Sequence, residues 1–352
     1  MKIGIIGLPG AGKTTIFNCL TGIGQDDSIP QGGRARGHDA SLRLVPVPDR
    51  RLNVLSTMYE PKKTTYAQVQ YVDVQGELKA KDGESSGMDE LLRHLRPVDA
   101  LLHVVRAFEW AGSPPDPQAD FERLEEEILF SDLIIVERRL ERMEQEAKKG
   151  RKYHMEEYDL LKKAGHMLEQ GRPLRSDPGI ATSQKLKGYA FLSAKPEIVC
   201  LNLGEDTDEA VVAIEAPAGI PIISIKGAVE QEILALSHEE QETFRREMGV
   251  DEPAMHILIR ESYRLLGLIS FFTVGKDEVR AWTIIEGTIA HKAAGVIHSD
   301  LERGFIRAEV VAYDDLVKYG SYAACQKAGK VRLEGKEYVV EDGDIIHFRF
   351  NV

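Results

Sequence analysis

The octapeptide GLPGAGKT, residues 7 to 14, constrains this chain more than any other stretch. It fits G-x-x-x-x-G-K-[ST] and stands between a short apolar run, KIGIIG at 2–7, and a helical pattern, TTIFNCLTG at 14–22. That context is what the chemistry requires. Gly7, Gly10 and Gly12, with Ala11 between them, let backbone N–H groups curl around phosphate oxygens. Lys13 then carries its ammonium to the β and γ oxygens, and the hydroxyl of Thr14, followed by Thr15, opens the helix beside a Mg²⁺ ion. The positive end of the helix dipole adds to the same field.

A strand ending beside such a loop supplies the next expectation. YAQVQYVDVQG, 66–76, alternates and then closes on Asp73 and Gly76, a D-x-x-G arrangement. Asp73 would hold Mg²⁺ through water, and the Gly76 N–H would meet the γ-phosphate. Glu77 follows, at a place where a residue that orients water can stand; beside the γ-phosphate its carboxylate suffers like-charge repulsion, so a solvent-facing Glu77 is the favoured reading. Lys13, Gly76 and, with that reservation, Glu77 are the catalytic candidates.

Two further buried runs, ALLHVVRAF at 100–108 and EIVCL at 197–201, alternate with helical segments. The pattern predicts an α/β fold of the P-loop nucleoside triphosphatase type, with a doubly wound, mostly parallel sheet. Ligands in such sheets bind at the carboxyl ends of the strands, and Asn202, Leu203, Gly204 and Glu205 lie at one such end. A guanine-reading loop would carry Asn-Lys-x-Asp there; this chain has no Lys and has Glu in place of Asp. One strand later, IPIISIKGAVEQEI brings Ser224, Ile225 and Lys226 to the place of a loop that braces the base. A closer literal match to Ser-Ala-Lys, at 193–195, precedes NLGE and is excluded by order. Asn202, Leu203, Glu205, Ser224, Ile225 and Lys226 are the base-side candidates, with Asn202 expected to serve the adenine N6 and N7 edge.

Composition narrows the class. A length of 352 residues with 43% apolar content predicts two or three domains with real cores. No apolar run approaches the roughly 20 residues needed to cross a bilayer, and MKIGIIGLPG carries no signal-peptide pattern, so a cytoplasmic location is expected. Cys19, Cys200 and Cys325 form no CxxC pair, which argues against both a disulfide framework and a zinc site. The net charge of −12 restricts any RNA contact to a local patch, and sequence-specific DNA binding is not expected. Between 120 and 170 two helical runs predict an antiparallel pair, with KKGRK at 148–152 as its basic tip. Beyond 267, short strands with Gly turns and one helix near 314–328 predict a compact β-rich module.

With NLGE in place of Asn-Lys-x-Asp, these pieces resemble the YchF/Obg-like ATPase family. The segments at 265–284, 295–316 and 328–352 are similar to that family's TGS domain, and VPVPDRRL at 45–52 resembles its early signature. The resemblance spans essentially the whole chain. It implies a G domain in two parts (1–118 and 184–266), a helical arm at 119–183 and a β-grasp-like TGS domain at 267–352. It also implies hydrolysis of ATP, or of GTP, and association with the ribosome or its RNA through the arm and the TGS domain.

Departures from the family pattern limit what carries over. The family has Asn where this chain has Gly10, so potassium activation does not follow. Its switch Thr is replaced by GGRARGHDASLRL, with Gly37 near that place and Ser41 as the alternative. Three functions remain open: an ATP-preferring switch, a GTP-specific GTPase, and an adaptor that holds nucleotide with negligible hydrolysis. A metabolic kinase shares GAGKTT but would need an acceptor site and lid arginines, and the TGS-like module argues against it.

Overall fold

The computed structural model describes residues 1–22, 41–74, 87–208, 212–247 and 252–351. Its contacts divide the chain into two compact units: Met1–Arg43 with Gln70–Leu258, and Leu44–Val69 with Ile259–Val352. In chain order the strands of the first sheet are β1 (Lys2–Ile6), β2 (Ser41–Pro46), β4 (Gln68–Asp73), β5 (Ala100–Ala107), β6 (Glu197–Leu203) and β7 (Ile222–Ile225). Their spatial order is β2-β4-β1-β5-β6-β7, and β1 pairs in parallel with both β4 and β5. β5 pairs β6 and β6 pairs β7 in the same sense. Continuous burial along KIGII, ALLHVVRA and EIVCLNL fits strands covered on both faces. Five of these strands are thus shown to be parallel, with β1 near the centre and the loops at their carboxyl ends on one edge.

Helix α1 (Lys13–Thr21) follows β1, and α3 (Gly87–Leu95) precedes β5. Two long helices, α4 (Pro117–Lys148) and α5 (Met155–Glu169), form the antiparallel arm. Pro117 at the first turn and an Asp116 side chain accepting from the Ala119 N–H start α4. The arm does not begin where the helix begins. Leu124 and Ile128 pack in the sheet core with Leu92, Leu95 and Leu101, while Val136 and Met143 pack with Leu161, Ala164 and Leu168 of α5. One helix therefore packs on the sheet with its first half and on its arm partner with its second. Helix α6 (Pro178–Ala181) lies on the return, and α7 (Gly227–Leu234) and α8 (His238–Glu247) follow β7.

The second unit differs from the expected boundaries, because residues 44–69 belong to it. Helix α2 (Arg50–Tyr59) and strand β3 (Lys63–Thr65) come from this early segment, and β3 pairs in parallel with β9 (Glu278–Ile285). The physical tie is Arg51: its guanidinium reaches Asp49 at 2.9 Å and Asp342 at 2.8 Å and lies over the Phe272 ring. The other strands are β8 (Leu268–Thr273), β10 (Phe305–Ala312), β11 (Arg332–Glu334) and β12 (Asp344–Phe350), in the order β11-β10-β12-β8-β9-β3. Helices α9 (Ala254–Leu265), α10 (Ala290–Ile297) and α11 (Ser299–Arg303) precede β10. The single helix expected near 314–328 is two, α12 (Tyr313–Tyr319) and α13 (Tyr322–Lys327), broken where Gly320 adopts φ 74°.

Candidate functional site

The phosphate loop runs from Gly7 to Gly12, and α1 starts at Lys13. Its glycines are required by space as much as by conformation. A Cβ on Gly12, at φ +87°, would stand 2.2 Å from Asn202 Nδ2, and one on Gly7 would stand 2.4 Å from the Val104 carbonyl oxygen. Lys13 Nζ donates to the carbonyls of Gly7 and Leu8, both at 3.0 Å. Burial lowers its pKa below the ordinary lysine value, against the pull of the Asp73 charge. Thr14 is exposed and Thr15 half-buried at the first turn of α1.

Asp73, the last residue of β4, lies level with Ile5 of β1. It is 1% exposed, and its Oδ2 has no hydrogen-bond partner among the described residues. Burial raises its pKa, with Lys13 opposing. A buried carboxylate oxygen without a donor among the described residues is the hard oxygen chemistry that suits Mg²⁺. Gly76, Glu77 and Gly37 lie outside the described residues, as does the side chain of Ser41.

The base side requires corrections. Asn202 is 4% exposed, and both ends of its amide are engaged: Nδ2 donates to the Ala11 carbonyl at 3.0 Å, and Oδ1 accepts from the Gly227 N–H at 3.1 Å. It braces the phosphate loop against the start of α7. One amide N–H and one lone pair of its oxygen are thereby committed to this bracing, which leaves less of the side chain for a base edge than the sequence suggests. Leu203 packs with Val105, Phe121 and Leu201 in the core, leaving only its backbone for a ligand. Ile225 is likewise buried, and Ser224 half-buried, on β7. Glu205 is exposed, and its carbonyl accepts from Lys226 Nζ at 2.6 Å. NLGE and SIK are therefore adjacent, joined by strand pairing of Asn202 with Ile225 and by the Lys226 side chain on the Glu205 carbonyl.

Three residues of this region were not singled out in the sequence. Gly227 supplies the N–H that Asn202 accepts, and a Cβ there would meet Asn202 Oδ1 at 2.8 Å. Phe108 lies between the two loops, 4.0 Å from a Cβ built on Gly12 and 3.2 Å from one built on Gly204. Trp110 meets Gly10 in the same way, with Nε1 at 2.9 Å. Both aromatics sit just past the carboxyl end of β5, and that position was the available signal.

A second charged cluster lies away from these loops. His103, Glu125 and Glu197 bring ligand-type atoms within 4.8 Å of one another, and His103 Nδ1 is 2.9 Å from Glu197 Oε1. Arg175 bridges the two carboxylates, so the protein supplies the cation itself. Burial, then the charge of Glu197, pushes Glu125 up to about 8. The cluster joins β5, β6 and α4 beneath the arm.

A glycine-rich loop at the central strand, a lysine folded over it, and an aspartate at the end of the neighbouring parallel strand define a P-loop nucleoside triphosphatase. A family model described as 50S ribosome-binding GTPase matches residues 2–139, and a YchF-GTPase C-terminal model, described as a protein of unknown function (DUF933), matches 268–351. The chain is similar to the ribosome-binding ATPase YchF of Bacillus subtilis (strain 168), 42% identical over 368 residues and covering 100% of both chains. The ribosome-binding ATPase YchF of Haemophilus ducreyi is 38% identical over 367 residues, covering 100% of this chain and 99% of that one. The solved structure of the Schizosaccharomyces pombe YchF GTPase matches with a TM-score of 0.84 at 31% identity, covering 99% of this chain and 97% of that chain. The chain belongs to the YchF family.

Proposed function

We propose that this chain is a Mg²⁺-dependent nucleoside triphosphatase that prefers ATP to GTP and works as a switch on the ribosome. The observation that carries the catalytic part is Lys13, held on the loop carbonyls, within electrostatic reach of Asp73, whose buried Oδ2 has no hydrogen-bond partner among the described residues. Bound there by Thr14 and by Asp73 through water, magnesium would neutralise charge on the transferred phosphoryl group. Lys13 leaves the carbonyls of Gly7 and Leu8 for phosphate oxygens. The loop N–H groups, and that of Gly76, position the chain of phosphates for attack by water.

The base preference rests on Glu205. Its side chain is one methylene longer than Asp, which displaces the carboxylate from guanine N1 and N2. Guanine would then lose the paired carboxylate at its edge, a hydrogen bond to a charged group worth about 1.5 to 3 kcal/mol at most and less at an exposed Glu205. Adenine does not impose that demand and can pair with backbone groups of the NLGE loop, with Phe108 as apolar surface nearby.

The ribosome reading rests on the names of the relatives and on the arm. Lys148, Lys149, Arg151 and Lys152 are all exposed at its tip, a local basic patch on an acidic chain. The TGS-like unit is the second contact. Among the described residues no helix is long and apolar enough to cross a membrane. Phosphate release measured with and without ribosomes tests the whole: turnover that ribosomes accelerate supports it. No release under either condition leaves the adaptor reading, which Gly37 in place of a switch threonine favours.

A further inference from the structure

We propose that Trp110 closes the outer side of the phosphate loop over a bound nucleoside triphosphate, its indole N–H donating to an oxygen of the terminal phosphate. The inference rests on the nucleotide-site reading above and deepens it. The segment after β5 is built to hold this ring. Trp110 and Ser113 exchange backbone hydrogen bonds of 3.1 and 2.9 Å, across a turn in which Ala111 and Gly112 take φ of 51° and 77°. Arg106 then fixes the turn from below, donating to the carbonyls of Phe108, Ser113 and Pro114 at 3.0, 3.3 and 3.4 Å. It also pairs with Asp120 of α4 at 3.5 Å.

On this support the ring stays 57% exposed, yet its Nε1 edge lies on Gly10. A Cβ there would meet Nε1 at 2.9 Å and Cδ1 at 3.0 Å. Trp110 therefore occupies the space that any side chain at position 10 would fill. Its Nε1 donates no hydrogen bond to any described residue. Because indole is a donor only, it cannot consume the loop N–H groups that a phosphate needs; it can only add one more donor to them. A further donor beside the loop N–H groups is complementary to a polyanion.

The test compares Trp110→Phe, which keeps an aromatic ring and removes the donor, with the wild type. Affinities are measured for a non-hydrolysable ATP analogue and for ADP, both with Mg²⁺. The expected result is a loss of roughly tenfold for the triphosphate, the size of one hydrogen bond to a charged oxygen, with ADP within about twofold. In parallel, Trp282→Phe leaves Trp110 as the sole tryptophan of the two, and its emission should respond to the analogue more than to ADP. Equal losses for both nucleotides, or none for either, would overturn the proposal and leave Trp110 a packing residue. Lys13→Ala separates the premises. If wild-type binding depends on Lys13 while Trp110→Phe changes nothing, only the Trp110 assignment falls; if the wild type binds no nucleotide, the nucleotide reading falls with it.

Discussion

The phosphate side and the base side of the site are built on opposite plans. On the phosphate side the polar groups are provided by eight consecutive residues and one aspartate, and the lysine rests on carbonyls of its own loop. On the base side the most promising polar side chain, Asn202, is spent on architecture, joining Ala11 to Gly227 across 191 and 25 positions of sequence. In the function proposed above, the first half recognises a ligand with side chains, and the second relies more on backbone, with Glu205 and the Phe108 ring beside it. Affinity should accordingly reside in the phosphates, and base preference should be modest and easily moved.

The sharpest way to break that contrast is Lys13→Ala. Triphosphate turnover should fall by roughly a hundredfold or more, the scale for removing a preorganised charge stabiliser, with the melting temperature little changed. Asn202→Ala comes next. It strands a buried N–H and a buried carbonyl, so stability should drop by about 2 to 3 kcal/mol in denaturant titrations. The ratio of ATP to GTP affinity should stay within about twofold, since the amide does not touch the base; a large change in that ratio would restore Asn202 as a reader. Glu205→Asp should move the ratio toward GTP by roughly tenfold, measured by competition.

The smallest effect concerns Asp73. Burial holds its carboxyl above the ordinary value, so the folded chain keeps a proton that the unfolded chain releases. The resulting stability is present below the unfolded pKa and lost as pH rises through the folded one. Asp73→Asn removes that loss. In magnesium-free buffer it should be more stable than wild type near neutral pH, by about 1 kcal/mol, with the gap narrowing as pH falls into the carboxylate range.

What could be read in the sequence follows the same division. The octapeptide and its flanking strand and helix are local, and D-x-x-G needs only one parallel strand beside it, so both were legible. NLGE at the end of a buried strand was legible as a position, but not as a set of contacts. Whether Asn202 faces a base or a loop depends on which backbone groups approach it, and those come from Ala11 and Gly227. Trp110 was hidden for the same reason, since nothing local ties it to Gly10. VPVPDRRL resembled a signature, yet the role of Arg51 appears only when Asp342 and Phe272 are brought to it. Pairing of β3 with β9 is equally non-local, and it draws residues 44–69 out of the first unit.

The central claim, that the base side has lost the grip on guanine while the phosphate side is intact, is met most directly by competing ATP against GTP for the purified protein with Mg²⁺. ATP should bind about tenfold more tightly, and both should compete for one site that requires Lys13. Equal affinities, or a preference for GTP, would contradict it.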